Sequence, residues 1–408
     1  MSTFEERARA GAGRIAWAGR GMPVLRGISV RLAESGALKG HRIGVGLVLE
    51  PKTANLALAL RDAGAEVSVY CSGRSTDQET ADALAAEGLA VFAEEGVGDE
   101  RDLELAREYL GTAPDIILDD GASIIRLAHR EFPALVGSLL GAAEETTSGV
   151  RPLRAMHDDG ALRIPVVAVN DAKTKYLFDN VYGTGQSCVM TLLDVTNLQI
   201  AGRTVVVVGY GWVGKGVALH AAALGARVVV TELDPIKALQ ALHDGYRVMS
   251  LADAAPTAEV VFAATGIAGA VTAAHVDQMP DGVILCTAGG GAFELPMPEL
   301  DALGTADSVR AGVTQYTRAD GTTVLVISEG DCLNCTDGEG NPIEVMDLSL
   351  SLQALAAELI ATTAKDWGVG VHPLPEALEQ AVAIARLAHE GASLEPMTDD
   401  LAAAMRSW

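Results

Sequence analysis

The densest cluster of polar side chains able to do chemistry lies between residues 170 and 180. It reads Asn170-Asp171-Ala172-Lys173-Thr174-Lys175 and continues with Phe178-Asp179-Asn180. Lys175 and Asp179 are four residues apart, so on a helix their side chains share one face. A lysine beside a carboxylate can hold a sugar hydroxyl and move its proton while the carbon is oxidised. The spacing therefore indicates acid–base chemistry on an alcohol.

A glycine-rich turn follows the apolar run Val205–Val208 and reads Gly209-Tyr210-Gly211-Trp212-Val213-Gly214. Its glycines permit a tight turn, a close approach to a pyrophosphate and close packing of the following helix on the strand. The N–H groups at the start of that helix favour phosphate. A second predicted strand ends at Thr231-Glu232, where a carboxylate accepts from a ribose 2′-hydroxyl and repels a 2′-phosphate. The pattern predicts NAD binding, and Thr265-Gly266 closes another strand beside the cofactor.

Two more acidic clusters flank this dinucleotide pattern. Ile117-Leu118-Asp119-Asp120-Gly121 places two carboxylates at the end of a predicted strand, and Glu144-Glu145-Thr146-Thr147-Ser148-Gly149 lies on a predicted loop. A single carboxylate of this kind is more often a solvated or capping group. Ligand sites of α/β proteins lie at the carboxyl ends of strands, so clusters around one dinucleotide fold favour a shared site.

Apolar runs alternate with alanine- and leucine-rich stretches of helical pattern, which predicts an α/β fold with parallel sheets covered by helices. The predicted strands are Arg42–Leu49, Glu66–Tyr70, Ile116–Leu118, Val166–Val169, Thr204–Val208, Arg227–Val230, Val260–Ala263, Val283–Leu285 and Thr323–Ile327. We expect two domains. Residues 1–182, completed by 345–408, form a discontinuous α/β substrate-binding domain, and residues 183–344 form a Rossmann NAD-binding domain.

The chain has 408 residues, 49% of them hydrophobic and 21% charged, which is typical of a globular protein. Its net charge of -24 would repel nucleic acid and anionic membranes, so we expect neither as a partner. Residues 1–20 have no apolar core of the kind found in signal peptides, and no stretch was expected to reach the length of a membrane span. These patterns predict a cytoplasmic protein.

Several motifs together resemble the adenosylhomocysteinase family. They are the run Asn170–Gly183, the run Ile200–Gly216 with its glycine turn, Thr231–Pro235, Glu144–Thr147 and Gly370–Pro375. The resemblance covers nearly the whole chain. It implies tightly bound catalytic NAD, a purine nucleoside or its 5′-thioether as the small-molecule partner, and a homo-oligomer, either dimer or tetramer. In that family the ribose 3′-hydroxyl is oxidised, the ketone acidifies C4′–H, the 5′-thiol is eliminated, water adds and the alcohol is restored.

The resemblance also implies residue roles. Lys175, Asp179 and Glu145 would act at the ribose hydroxyls and Asp120 near C4′ and C5′. Substrate contacts are implied for Asn170, Glu50, Lys52, Thr53, Asn341 and Met346. Cofactor contacts are implied for Gly209, Gly211, Trp212, Val213, Gly214, Glu232, Thr146, Thr147, Asn180, Thr265, Gly266 and Asn334. No metal site is expected.

The chain departs from the family at its acid–base histidines, whose positions hold Val48, Gly290 and Asn341, while a usual cysteine is Thr184. General acid–base help is worth ~100- to 10,000-fold. We therefore expect 3′ oxidation to be retained and later steps to differ, by epimerisation, by elimination of a better leaving group or by simple redox. A silent NAD-binding regulator remains an alternative. So does an ordinary S-adenosylhomocysteine or S-inosylhomocysteine hydrolase in which Glu50 or a water chain replaces the histidines.

Two further features bear on ligands. Many family members have a glutamate where Lys52 falls, and an ammonium can only donate, so Lys52 predicts a 6-oxopurine, as in members that resemble inosylhomocysteine hydrolases. Cys332-Leu333-Asn334-Cys335 forms a C-x-x-C pair. Zinc would need further ligands and a redox pair would need a thioredoxin-like context, so we expect two small side chains in a loop near the cofactor.

Overall fold

The computed structural model describes residues 2–408 and contains fifteen strands. The strands are β1 (Arg42–Gly46), β2 (Glu66–Tyr70), β3 (Ala90–Phe92), β4 (Ile116–Asp119), β5 (Gly141–Glu144), β6 (Pro165–Ala168), β7 (Thr204–Val208), β8 (Arg227–Thr231), β9 (Arg247–Val248), β10 (Val260–Ala263), β11 (Val283–Thr287), β12 (Asp307–Arg310), β13 (Val313–Thr317), β14 (Thr323–Ile327) and β15 (Gly370–Pro373). All nine predicted strands are present, although β1 ends before Leu49.

The first sheet has the order β15-β6-β5-β4-β1-β2-β3 and is parallel throughout. The second has the order β12-β13-β14-β11-β10-β7-β8-β9, parallel except where β13 pairs with β12 and β14. Val205–Val208 in β7 is buried on both faces, which explains its continuous apolar run. The two sheets confirm the predicted fold class, whereas the exact domain boundaries stay a prediction.

Residues 2–408 also form nineteen α-helices, many of which cover the sheets. They are α1 (Phe4–Arg20), α2 (Pro23–Ser35), α3 (Pro51–Asp62), α4 (Gln78–Ala86), α5 (Asp99–Gly111), α6 (Ser123–Glu131), α7 (Pro133–Val136), α8 (Thr147–Asp158), α9 (Lys173–Tyr176), α10 (Gly185–Thr196), α11 (Trp212–Ala223), α12 (Pro235–His243), α13 (Leu251–Ala254), α14 (Ala273–Val276), α15 (Met297–Asp301), α16 (Leu333–Thr336), α17 (Ile343–Thr363), α18 (Glu376–His389) and α19 (Asp399–Ala404). A single π-helical turn, Asp179–Thr184, precedes α10.

The longest helix, α17, follows the second sheet in sequence but packs against α2, α3 and β5 of the first unit. Ile343–Asp366 is long and apolar enough to span a membrane, so the expectation that no such stretch exists was wrong by length and composition. In the fold, 72% of the apolar 18-residue stretch of this helix is buried, as in the core helix of a globular unit. It brings residues from beyond position 343 to the first sheet.

Two helices meet through glycines where the first unit passes into the second. A Cβ on Gly216 of α11 would collide with the Val181 carbonyl, and a Cβ on Gly185 of α10 would collide with the Gly216 backbone. No side chain fits between these backbones without moving the helices apart. The contact therefore depends on both residues being glycine.

Gly216→Ala should lower the free energy of unfolding by about 1–3 kcal/mol, because overpacking forces the backbone to shift. Urea denaturation measures this change. Gly27→Ala in α2 is the matched control, since a Cβ there has nothing within 4 Å and should be neutral or stabilising. Equal stability of both variants would contradict the close approach of α10 and α11.

Candidate active site

A cavity of about 1330 Å³ lies where the carboxyl ends of both sheets face each other. Every predicted site residue lines it except Asn170, Lys52 and Gly214. Asn170 lies behind the wall, where its Oδ1 accepts a hydrogen bond from Thr147 Oγ1 at 3.1 Å. The structure thus brings nearly all predicted residues together, whereas their individual roles stay predictions.

The glycine turn has the shape that NAD requires. Gly209 has a φ of 96°, and a Cβ there would lie 2.9 Å from Thr265 Cγ2. Gly211 lines the cavity with open space in the direction of a Cβ, which leaves room for a pyrophosphate. A Cβ on Gly214 would collide with the Gly209 carbonyl, so this glycine serves close packing of α11. The residues present fit the cofactor.

Glu232 lies at the end of β8, where its carboxylate accepts from the backbone N–H groups of Tyr210 and Leu233, both at 2.7 Å. Its side chain faces the cavity at the position for a ribose hydroxyl. Trp212 of the glycine turn stacks on Tyr176 of α9, with ring centroids 4.7 Å apart. This aromatic pair joins the two units at the edge of the cavity.

Lys175 is 1% exposed and has three oxygen-bearing neighbours. Its Nζ lies 3.0 Å from Asp179 Oδ1, 3.1 Å from Asn180 Oδ1 and 4.0 Å from Glu145 Oε1. Burial alone would lower the pKa of Lys175, but the Asp179 and Glu145 carboxylates raise it above the ordinary lysine value. The cluster is therefore a charged lysine held between two carboxylates, with its polar face toward the cavity.

Glu145 is held from the far end of the chain. Ser349 Oγ and Gln353 Nε2, both on α17, donate to its two carboxylate oxygens. Burial raises the pKa of Glu145 from 4.5 to about 7, although Lys175 acts in the opposite direction. The side chain can therefore hold or release a proton near neutral pH.

Asp120 and Glu144, one from each acidic cluster, have different places: Asp120 lines the cavity, and Glu144 is buried behind it. Asp120 lines the cavity, and burial raises its pKa. Glu144 is fully buried and accepts from Gly121 N, Ala122 N and Thr146 N, each at 2.9 Å. The predicted loop placement was wrong for Glu144, which ends β5, and for Thr147, which begins α8. The Glu144 carboxylate at the end of β5 therefore holds the turn that follows Asp120.

Lys52 lies behind the cavity wall. Its Nζ lies 2.6 Å from Glu50 Oε2 and donates to the Glu339 carbonyl at 2.5 Å. Glu50 does line the cavity, and it caps α3 by accepting from Lys52 N and Thr53 N. The ammonium can thus approach a ligand in the cavity only beside Glu50.

The three positions that hold histidine in the resembling family all lie in the cavity wall, as Val48, Gly290 and Asn341. Asn341 Nδ2 donates to Thr184 Oγ1 at 3.2 Å, so it is a hydrogen-bonding group that cannot transfer protons. Within residues 2–408, His275 is the single histidine of the wall, and its Nδ1 is engaged with Thr272 at the start of α14. In the same residues no cluster is placed to hold a metal ion.

Sequence reasoning missed a second group of cavity residues near the first sheet, namely Tyr70 at the end of β2, Cys71 after it and Asp102 on α5. Tyr70 Oη donates to Asp102 at 3.2 Å, and Cys71 follows the end of β2. The position of Tyr70 and Cys71 after a predicted strand was a usable signal, because strand ends mark sites in this architecture. Asp102 lies 32 residues from Tyr70, and nothing in the sequence signalled their contact.

Two parallel α/β units, an NAD-shaped glycine turn and a buried lysine between carboxylates define an NAD-dependent enzyme. Residues 5–132 match the family model of S-adenosyl-L-homocysteine hydrolase, and residues 180–340 match that of its NAD binding domain. The chain belongs to the adenosylhomocysteinase family, and its cofactor is NAD.

Relatives match along nearly the whole length. The chain is 45% identical over 401 residues to the S-inosyl-L-homocysteine hydrolase of Methanopyrus kandleri, covering 98% of this chain and 95% of the relative. It is 42% identical over 397 residues to the adenosylhomocysteinase of Archaeoglobus fulgidus, covering 97% and 98%. Because the chain is similarly identical to relatives of both names, overall sequence identity does not show which of the two purines its substrate contains.

The contribution of Glu145 to the stability of the protein should fall as the pH rises from 4.5 to about 7, because the folded state binds the Glu145 proton more tightly than the unfolded chain. The stabilisation is complete below the unfolded pKa and is lost as the pH passes through the folded pKa. Glu145→Gln should weaken this dependence, since an amide does not titrate. Urea denaturation at several pH values measures it, with the exposed Glu34→Gln as control. An unchanged slope in Glu145→Gln would contradict the assignment.

Proposed function

We propose that this protein oxidises the 3′-hydroxyl of a purine nucleoside or its 5′-thioether, and that its later steps differ from rapid thioether hydrolysis. The observation that carries the proposal is the contrast between two parts of one cavity. Lys175, Asp179 and Glu145 form a complete charged cluster, whereas Val48 and Gly290 offer no proton-transferring group.

When bound, NAD supplies an acceptor for the hydrogen and electron pair removed from an alcohol carbon. The Gly209–Gly214 turn, Glu232, Thr265 and Asn334 would hold it. Asp179 and Lys175 would hold the ribose hydroxyls, and the cluster would receive the hydroxyl proton as the carbonyl forms. Because this cluster is buried, water does not compete for these groups.

A 3′-ketone acidifies the neighbouring C4′–H, and Asp120 is the candidate base. Because burial raises its pKa, the Asp120 carboxylate is a stronger base than an exposed aspartate. Without a general acid for a leaving thiolate, elimination of a homocysteine thiol would be slow. Return of the proton to the other face of C4′, loss of a better leaving group, or release of the oxidised product each fits this set of residues.

Mixing the NAD-loaded protein with adenosine, inosine and their homocysteine thioethers should produce NADH absorbance without family-typical release of homocysteine. Lys175→Met should slow NADH formation ~100- to 10,000-fold, the usual value of acid–base help. Lys173→Met is the matched control, because Lys173 lies on the same short helix but is exposed.

Rapid homocysteine release by the wild-type protein would instead support an ordinary hydrolase. Absence of NADH with all four compounds, despite bound NAD, would favour the regulatory alternative. Both results would overturn the proposed reaction.

We further propose that the purine carries a 6-oxo group. The Glu50 carboxylate already receives Lys52 N, Lys52 Nζ, Thr53 N and Thr53 Oγ1, so its acceptor sites are engaged. The Lys52 ammonium donates to Glu50 and to the Glu339 carbonyl, which leaves one hydrogen for a ligand oxygen. A 6-amino group needs an acceptor, and a 6-oxo group needs a donor.

Lys52→Met should reduce the affinity for inosine ~10- to 100-fold, the value of a hydrogen bond to a charged group, and change that for adenosine much less. Calorimetric titration of both nucleosides measures the ratio. General damage to the site would lower both affinities together. Tighter binding of adenosine than inosine by the wild-type protein would contradict the 6-oxo assignment.

A further inference from the structure

Three thiols surround the amide oxygen of Asn334. Cys332 Sγ lies 3.1 Å from Asn334 Oδ1, Cys188 Sγ lies 3.3 Å from it and Cys335 Sγ lies 3.8 Å from it. Cys332 and Cys335 line the cavity and are half-buried, whereas Cys188 is fully buried behind them. Two thiols of one C-x-x-C pair are thus accessible to molecules that enter the cavity.

A backbone hydrogen bond places the two cysteines on one turn of the chain. The Cys332 backbone pairs with Thr287 at the end of β11, which fixes the first cysteine. Cys335 lies in α16, and its N–H donates to the Cys332 carbonyl at 3.0 Å. Such a turn brings the two Cα atoms within about 7 Å, inside or near the 4.4–6.8 Å span of disulfides. Cys332 is the N-cap of α16 and Cys335 lies within this helix, rather than both lying in the predicted loop, so one short turn carries both thiols.

We propose that Cys332 and Cys335 form a redox-active dithiol site, which low-molecular-weight disulfides that enter the cavity oxidise reversibly. Cys332 sulfur attacks one sulfur of the disulfide, forming a mixed disulfide and releasing one thiol. Cys335 sulfur then attacks Cys332 sulfur, closing the Cys332–Cys335 bond and releasing the second thiol. One disulfide is reduced to two thiols, and the two cysteines lose two hydrogens as protons to the released thiolates.

The order of attack follows from the contact between the two cysteines. Hydrogen bonding with Cys332, together with burial, raises the pKa of the Cys335 thiol. Cys335 therefore keeps its proton, which its thiol donates toward Asn334 Oδ1 at 3.8 Å, and this leaves the Cys332 sulfur as the first nucleophile. Cys335 is the resolving thiol.

Oxidation also changes the surroundings of Asn334. Its Nδ2 donates to Ser187 Oγ and to Asn341 Oδ1, both at 3.0 Å, and its Oδ1 loses two thiol donors when the disulfide forms. Asn341 in turn holds Thr184 at the end of the π-helical turn. Since the proposed function places Asn334 at the cofactor, we expect the oxidised protein to bind NAD about tenfold more weakly, the effect of one lost hydrogen bond.

Intact-mass measurement of the full-length protein treated with cystamine tests the site. The wild-type protein should become lighter by two hydrogen atoms, and dithiothreitol should restore its mass. Cys335→Ser should instead retain one cysteamine on Cys332. Cys332→Ser should neither lose two hydrogens nor retain cysteamine. Cys71→Ser is the matched control, because Cys71 is also a cavity thiol but lies on the first sheet, and it should close the disulfide as the wild type does.

A wild-type protein that stops at a mixed disulfide, or a Cys332→Ser variant that still loses two hydrogens, would overturn the proposal. NAD titration of the reduced and oxidised forms tests the coupling to Asn334. By linkage, saturating NAD should shift the dithiol–disulfide equilibrium toward the reduced form if oxidation weakens NAD binding. Disulfide closure with unchanged NAD affinity would refute that coupling. Failure of the reduced protein to form NADH would count against the proposed function and leave the dithiol result standing.

Discussion

The buried ammonium of Lys175 is the interaction on which the rest of the site depends. A charge removed from water is strongly destabilising unless it is paired and hydrogen-bonded. Its partners come from different parts of the fold, namely Asp179 and Asn180 in the following turn and Glu145 after β5. Satisfying one side chain therefore fixes the ends of separate elements relative to each other.

The same requirement links the two units. The turn that carries Asp179 and Asn180 is wound as a π-helix and leads directly into α10. Asn341, on the return connection to α17, accepts from Ser187 and donates to Thr184. A Cβ on Gly183 would lie 2.9 Å from Asn341 Nδ2, so the two connections pass in contact. The cluster that holds the lysine is thus also the place where the chain crosses between sheets, and its geometry depends on both crossings.

The periodicity of the sequence predicts nine of the fifteen strands, and β5 is one of those it does not predict. Thr204–Val208 is recognisable because β-branched residues fill it, whereas β5 reads Gly-Ala-Ala-Glu and has no strand signal. The small residues are needed because α17 lies across this strand, and a Cβ on Gly141 would lie 3.2 Å from Ile360 Cγ2. Local pattern cannot reveal a requirement imposed by a helix more than 200 residues away.

The candidate site also has parts that local sequence pattern predicts and parts that depend on long-range packing. The glycine turn, Glu232 and the Lys175–Asp179 pair could be predicted because their spacing is local. The hydrogen bonds that support Glu145 could not be predicted, because Ser349 and Gln353 reach it only where α17 packs against β5. The placement of Lys52 also escaped prediction, because its ammonium is held by the carbonyl of Glu339 across the fold.

The loss of histidine at position 290 is built into the packing. A Cβ on Gly290 would collide with Glu294 Oε1, a buried carboxylate oxygen with no hydrogen-bond partner within residues 2–408. A histidine there would have to displace Glu294, whose other oxygen holds Thr265 N and Thr265 Oγ1 beside the glycine turn. Restoring that acid–base group would therefore disturb the cofactor loop. Apolar replacements of buried ion pairs are often neutral or stabilising. Stability alone therefore does not account for the buried Lys175 ammonium and the groups that support it. The proposed function accounts for both observations, because it uses the Lys175 cluster for oxidation of the alcohol and does not use a histidine at position 290.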